Sequence, residues 1–214
     1  MSLQRHWLHR LLLPLLLLVT ANTMAEDAPY AAGIDYGVVT PPLPRAAAEG
    51  VQVLELFWYG CPHCFQLEPH LERWLATKPA AAQFERMPAI FSNPTWRLHA
   101  QAFYTAEVLG VSEKLHGAMM TAIHLRKRPL NSAAQLRQFF IEQGVEGERF
   151  DRTFNSFAVQ MKVNRAADIT RRAGIDGVPA VIVAGKYRAT GGMAGSYANM
   201  FAIIDHLVAK EAAE

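Results

Sequence analysis

The sequence predicts an α/β fold interrupted by an all-helical insertion, and three observations lead there. Val51–Tyr59 is an almost unbroken apolar run rich in β-branched and aromatic residues, followed at once by helix-start residues. From Asn93 to Ala173 the apolar spacing is helical nearly throughout. Strand character then returns at Ala180–Val183 and Tyr187–Thr190, with a turn at Ala184-Gly185-Lys186 between them.

Residues 1–25 read as a cleaved secretory signal. Arg5 and Arg10 supply the positive start, Leu11–Val19 is apolar apart from Pro14, and Ala25 offers a small residue for cleavage. The run is too short for the ~20 residues a membrane-spanning helix needs. The formal charge of +2 resides wholly in this segment, because its removal leaves the basic residues equal in number to the 19 acidic ones. That excludes charge as an argument for a nucleic-acid or anionic-membrane partner.

Residues 26–92 form the first part of the α/β unit. A proline-bearing leader holds a short strand near Tyr36–Val39, and Val51–Tyr59 is a strand buried on both faces. Pro62 suits the first turn of a helix that runs to about Thr77, and Phe84–Met87 is a second strand stopped by Pro88. Residues 93–173 form the helical insertion, with helices at about Trp96–Leu109, Ser112–Ile123, from Asn131 or Ser132 to before Gly144, Glu148–Asn155 and Phe157–Ala173. Residues 174–214 complete the unit with the hairpin and a last helix capped by Ser196.

The chain of 214 residues has only two cysteines, Cys61 and Cys64, and 51% hydrophobic residues. It can fold on its core without staples, and a disulfide closing so small a loop removes little entropy. An inert disulfide and a zinc site on Cys61, His63 and Cys64 are the alternatives; the second lacks a fourth ligand in that stretch. Cys61-Pro62-His63-Cys64 lies between a buried strand and a helix start, where unpaired N–H groups and the helix dipole favour a thiolate at Cys61. The dipole supplies at most ~2 kcal/mol, less than about two pKa units, so a larger depression needs direct N–H contacts and a cation, for which His63 is available. A stabilised thiolate stabilises the dithiol and makes the disulfide an oxidant.

FWYGCPHC after the apolar strand, and Gly177-Val178-Pro179 before a later strand, resemble the thioredoxin fold. With the helical insertion and the export signal, nearly all of the mature chain resembles the DsbA family of periplasmic thiol:disulfide oxidoreductases. The resemblance implies a thioredoxin-like fold with an inserted helical domain, and a monomeric enzyme without a cofactor beyond its Cys61–Cys64 disulfide. It would donate that disulfide to exported proteins with free cysteines, and be reoxidised by a quinone-linked membrane partner resembling DsbB. Cys61 matches the family's nucleophile and Cys64 its buried partner. Pro62 and His63 match the tuning dipeptide, and Pro179 the proline with a cis preceding bond, which would bring the Val178 backbone beside the disulfide to pair with a substrate peptide. Glu55 matches a buried acid that would accept a proton near Cys64, Glu68 matches a second acid, and Arg86 stands where a basic partner of Glu55 is expected. Trp58, Tyr59, Phe65, Met193, Met200 and Phe201 are candidates for an apolar peptide-binding rim. A disulfide isomerase or reductase of the same fold, and a peptide-binding chaperone with incidental cysteines, are the competing readings. His70, His99, His116, His124 and His206 show no metal spacing and receive no role.

Overall fold

The computed structural model describes residues 29–44 and 49–214; the expected signal at 1–25 lies outside the described residues. In chain order the elements are β1 (Gly37–Val38), β2 (Val51–Phe57), α1 (Pro62–Thr77), β3 (Ala82–Pro88), α2 (Pro94–Leu109), α3 (Ser112–His124), α4 (Ala133–Glu142), α5 (Gly147–Phe154) and α6 (Phe157–Arg172). After these come β4 (Ala180–Val183), β5 (Tyr187–Thr190), α7 (Gly191–Ala194) and α8 (Tyr197–Ala212). The strands form one mixed sheet in the order β1-β5-β4-β2-β3.

β2 occupies the interior of that sheet, which is why its residues are apolar on both sides. It runs parallel to β3, with Glu55 opposite Arg86, and antiparallel to β4, with Glu55 opposite Val181. β3 is longer than its apolar core indicates, because the register carries pairing from Val51–Ala82 to Phe57–Pro88. The pleat divides β2 between two cores. Val51 and Val53 pack with Leu67, Leu71 and Trp74 of α1 and Ile203, Ile204 and Leu207 of α8. Leu54 and Leu56 pack instead toward the helical block, whose core includes Phe103, Met120, Leu136, Phe140 and Phe150.

Side-chain caps set the starts of several helices: Asn93, Ser132, Ser156 and Ser196 each accept a first-turn N–H. Of the two cap candidates at Asn131 and Ser132, Ser132 is the one used. Sequence periodicity misses α7, a single turn of mostly small residues capped by Thr190. The β4–β5 turn has positive φ at Ala184 (53°) and Gly185 (70°), the pattern of a hairpin turn matched to strand twist. A side chain at Gly185 would meet the Leu43 carbonyl at 2.6 Å, so the packed leader admits only glycine there.

Candidate functional site

β2 delivers the chain to the site through Trp58-Tyr59-Gly60. Cys61 N–H donates to the Trp58 carbonyl at 3.0 Å, closing a tight turn. Trp58 is held by stacking on Trp96 of α2, centroids 4.3 Å apart. A Cβ on Gly60 would lie 2.4 Å from that indole, which explains the glycine before the first cysteine. Cys61 is then the N-cap of α1, in extended conformation (φ −87°, ψ 117°), with Pro62 as the first helical residue. Proline has no N–H to lose, so the first-turn donors nearest the Cys61 sulfur are those of His63 and Cys64. Both cysteines carry free thiols. Cys61 is 8% exposed at the helix mouth, whereas Cys64, a turn deeper, is fully buried.

The two thiols are driven in opposite directions. The Cys61 pKa is lowered to about 6, first by a hydrogen bond from the Cys64 thiol, against the cost of burial, then by the backbone N–H groups of Cys64 and His63 and by the charge of His63. Burial pushes the Cys64 thiol well above its usual range, reinforced by its bond to Cys61. The pair therefore ionises at Cys61 with Cys64 as proton donor. The N–H contacts and the His63 charge expected from the sequence both act here, the charge least, and the hydrogen bond from the Cys64 side chain, which the sequence does not announce, leads.

Residues from the far half of the chain complete the site. The Val178–Pro179 bond is cis. The neutral Cys61 thiol donates to the Val178 carbonyl at 3.4 Å, across 117 residues of sequence. A groove of about 820 Å³ opens beside it, lined by His63, Val178, Pro179, Met193, Tyr197 and neighbouring residues. Met193 therefore reaches the groove, and Trp58 and Phe65 are half-buried against the helical core. Tyr59, Met200 and Phe201 do not belong to a rim. They are 2%, 0% and 7% exposed, because Tyr59 packs edge-on against Phe57, Phe201 stacks on Trp74 of α1, and Met200 lies in the core shared by α1, α8 and the sheet.

Beneath the cysteines lies a buried ionic chain. Arg86 donates through Nε to Glu55 Oε2 at 2.6 Å and through Nη2 to Glu68 at 3.2 Å. Glu55 is fully buried, and burial raises its pKa against the pull of Arg86; its other oxygen, Oε1, has no hydrogen-bond partner. Burial also opposes ionisation of Glu68, but His116 and Arg86 together hold its carboxyl below the usual range. His116, on α3, extends the chain: its Nε2 lies 3.2 Å from Glu68 Oε1 and its Nδ1 3.2 Å from the Tyr59 hydroxyl. A neutral ring that donates from Nε2 to the carboxylate accepts from the tyrosine at Nδ1. His124 contacts the Tyr59 carbonyl at 2.8 Å and stacks on Phe65. Neither histidine has a role that the sequence alone announces. Their spacing of eight on one helix places both toward α1, a signal that metal spacing rules overlook. Among the described residues no group of three His, Cys, Asp or Glu side chains is placed to hold a metal ion, and no helix is long and apolar enough to cross a membrane.

A thiol pair at a helix N-terminus, split into a stabilised thiolate and a buried thiol on a mixed sheet with a cis-proline loop opposite, defines a thiol:disulfide oxidoreductase of the thioredoxin fold. Comparison with known proteins narrows the class. Residues 81–197 match the family described as the DSBA-like thioredoxin domain, a span that excludes both cysteines and is thus independent of them. The thiol:disulfide interchange protein DsbA of Pseudomonas aeruginosa is 36% identical over 189 residues, covering 88% of this chain and 89% of that protein. The crystal structure of Pseudomonas aeruginosa DsbA superposes with a TM-score of 0.80 at 37% identity, covering 86% and 95% of the two chains. That of the Xylella fastidiosa oxidoreductase DsbA gives 0.80 at 32% identity, covering 87% and 100%. The chain belongs to the DsbA family and is a protein disulfide oxidoreductase.

Proposed function

We propose that the protein works in the periplasm as a monomeric dithiol oxidase, with Cys61 as the exchanging sulfur. The observation that carries this reading is the opposed tuning of the two thiols, Cys61 down to about 6 and Cys64 up. A substrate thiolate attacks Cys61 of the Cys61–Cys64 disulfide; the S–S bond breaks and Cys64 leaves, taking up a proton. The substrate's second thiolate then attacks its own sulfur in the mixed disulfide and expels Cys61 as a thiolate. The substrate has lost two electrons and the cysteine pair has gained them. Low basicity makes Cys61 the better leaving group in that second step.

Glu55 is the proton relay for Cys64 in this scheme, its pKa raised by burial and its Oε1 uncommitted. Arg86 positions Glu55, and Glu68 and His116 hold Arg86 and the catalytic helix in place. Val178 offers backbone pairing to an extended substrate segment, with Pro179 and Met193 forming the wall of its groove. Export by the 1–25 signal and reoxidation by a quinone-linked membrane partner resembling DsbB complete the cycle.

The test is exchange with a reduced, unfolded two-cysteine polypeptide. Wild-type protein oxidises it, and Cys61→Ser does not while retaining its fold. Undiminished exchange by Cys61→Ser through Cys64 overturns the assignment.

A further inference from the structure

Tyr197, the first residue of α8, sits against the cysteine helix in a way the redox scheme above does not use. Its hydroxyl donates to the backbone carbonyl of His63 at 3.1 Å, across 134 residues of sequence. Its ring packs edge-on against His70 of α1, centroids 5.3 Å apart, and forms part of the groove beside Val178 and Pro179. The His63 carbonyl and the Cys64 N–H belong to one peptide group, whose resonance couples them: a donor on the oxygen polarises the N–H at the other end. Cys64 is the third helical residue after the N-cap Cys61; the neutral Cys61 thiol makes no side-chain cap bond, and the Cys64 N–H, at the position from which an N-cap acceptor is reached, is the donor available to the sulfur when it ionises.

We propose that Tyr197 is a positioning residue for the redox couple: its hydroxyl polarises the His63–Cys64 peptide and strengthens the N–H that stabilises the Cys61 thiolate. The proposal rests on Cys61 as the ionising thiol. Two further facts agree with it. The Cys64 amide is among the groups that lower the Cys61 pKa. Burial raises the Tyr197 pKa, so the phenol stays protonated as a donor where Cys61 ionises. The groups facing Cys61 are then Cys64 and His63 from α1, the Val178 carbonyl from the proline loop, and Tyr197 from α8 through the peptide. Ser196 caps α8 through its bond to Asn199 N–H and keeps the phenol at this end of the groove.

Polarisation through one neighbouring bond strengthens a hydrogen bond by about 10–30%, and a bond to a charged acceptor is among the stronger ones. Loss of the Tyr197 hydroxyl should therefore raise the Cys61 pKa by about 0.1–0.7 pH unit. The equilibrium with glutathione should shift about 1.3–5-fold toward the protein disulfide, by the same linkage. The experiment compares wild type, Tyr197→Phe and Tyr197→Leu by thiolate absorbance titration, and follows the Cys64 amide resonance in the reduced protein. Tyr197→Phe keeps the ring and removes the donor. The expected result is a raised pKa in both variants, together with an upfield move of the Cys64 amide proton in Tyr197→Phe. A wild-type pKa in Tyr197→Phe overturns the proposal, as does a shifted pKa with an unmoved Cys64 amide; a shift confined to Tyr197→Leu assigns the effect to ring packing and overturns it as well. A wild-type Cys61 that itself titrates at the ordinary cysteine value overturns instead the reading on which the proposal rests.

Discussion

Replacing Cys61 with serine removes one ionisable group and leaves the fold's apolar contacts almost unchanged, so it isolates what the thiolate contributes to stability. The Cys61 pKa falls from 9.0 to about 6 in the folded, reduced protein. Three units at ~1.36 kcal/mol each are worth ~4 kcal/mol at full effect. The sulfur lies at the mouth of an open groove, and solvent screening there reduces the figure by roughly half, to ~2 kcal/mol. Because the folded pKa is depressed, the contribution is complete above the unfolded value near 9 and is lost as pH falls through about 6. Cys64 does not interfere in this window: it is protonated in both states below about 9, and above that its raised folded pKa turns the slope around. Reduced wild type and reduced Cys61→Ser, unfolded with guanidinium under reductant, should therefore diverge with pH. The wild type should gain ~1.5 kcal/mol relative to the variant between pH 5.5 and 8.5, or ~3–6 °C in melting temperature. A difference that stays constant within ~0.5 kcal/mol across that range would refute the thiolate stabilisation.

The same linkage predicts that at pH 7 the reduced protein melts above the oxidised one, with the gap narrowing toward pH 5; equal melting temperatures would count against an oxidising couple. Cys64→Ala removes the first contributor to the Cys61 shift, so the absorbance titration should move up by ~1–2 pH units from about 6. Arg86→Met strands the fully buried Glu55 without its cation and should cost ~3–5 kcal/mol in denaturant unfolding, with part regained in the double variant carrying Glu55→Gln. A double variant no more stable than Arg86→Met alone would show that Glu55 is not the group left uncompensated.

Much of this arrangement was legible in the residues because its causes are local. The strand-to-helix transition at Val51–Thr77, the N-cap position of Cys61 and the helical block all follow from apolar period and from proline, glycine and serine placement. That Glu55 needs a partner was legible because a carboxylate inside an apolar strand is costly unless paired or protonated; that the partner is Arg86 was implied only by the family resemblance, and the parallel register places the two opposite each other. What escaped was set by contacts distant in sequence. His116 and His124 become part of the site only when α3 packs against α1, and Tyr197 only when α8 closes over the His63 carbonyl. Met200 and Phe201 resembled rim residues by composition, yet both are buried in the core that α8 shares with α1 and the sheet, Phe201 stacked on Trp74. α7 escaped because four residues, three of them Gly or Ala, carry no period to read.

Stabilisation of the Cys61 thiolate is what makes the Cys61–Cys64 disulfide an oxidant. A redox titration of that pair against glutathione at pH 7 tests it most directly. The expected midpoint is more oxidising than about −200 mV, the poise of glutathione-buffered secretory compartments, with reduced protein dominating at equilibrium there. A midpoint near about −270 mV, in the range of disulfide reductases, would contradict it.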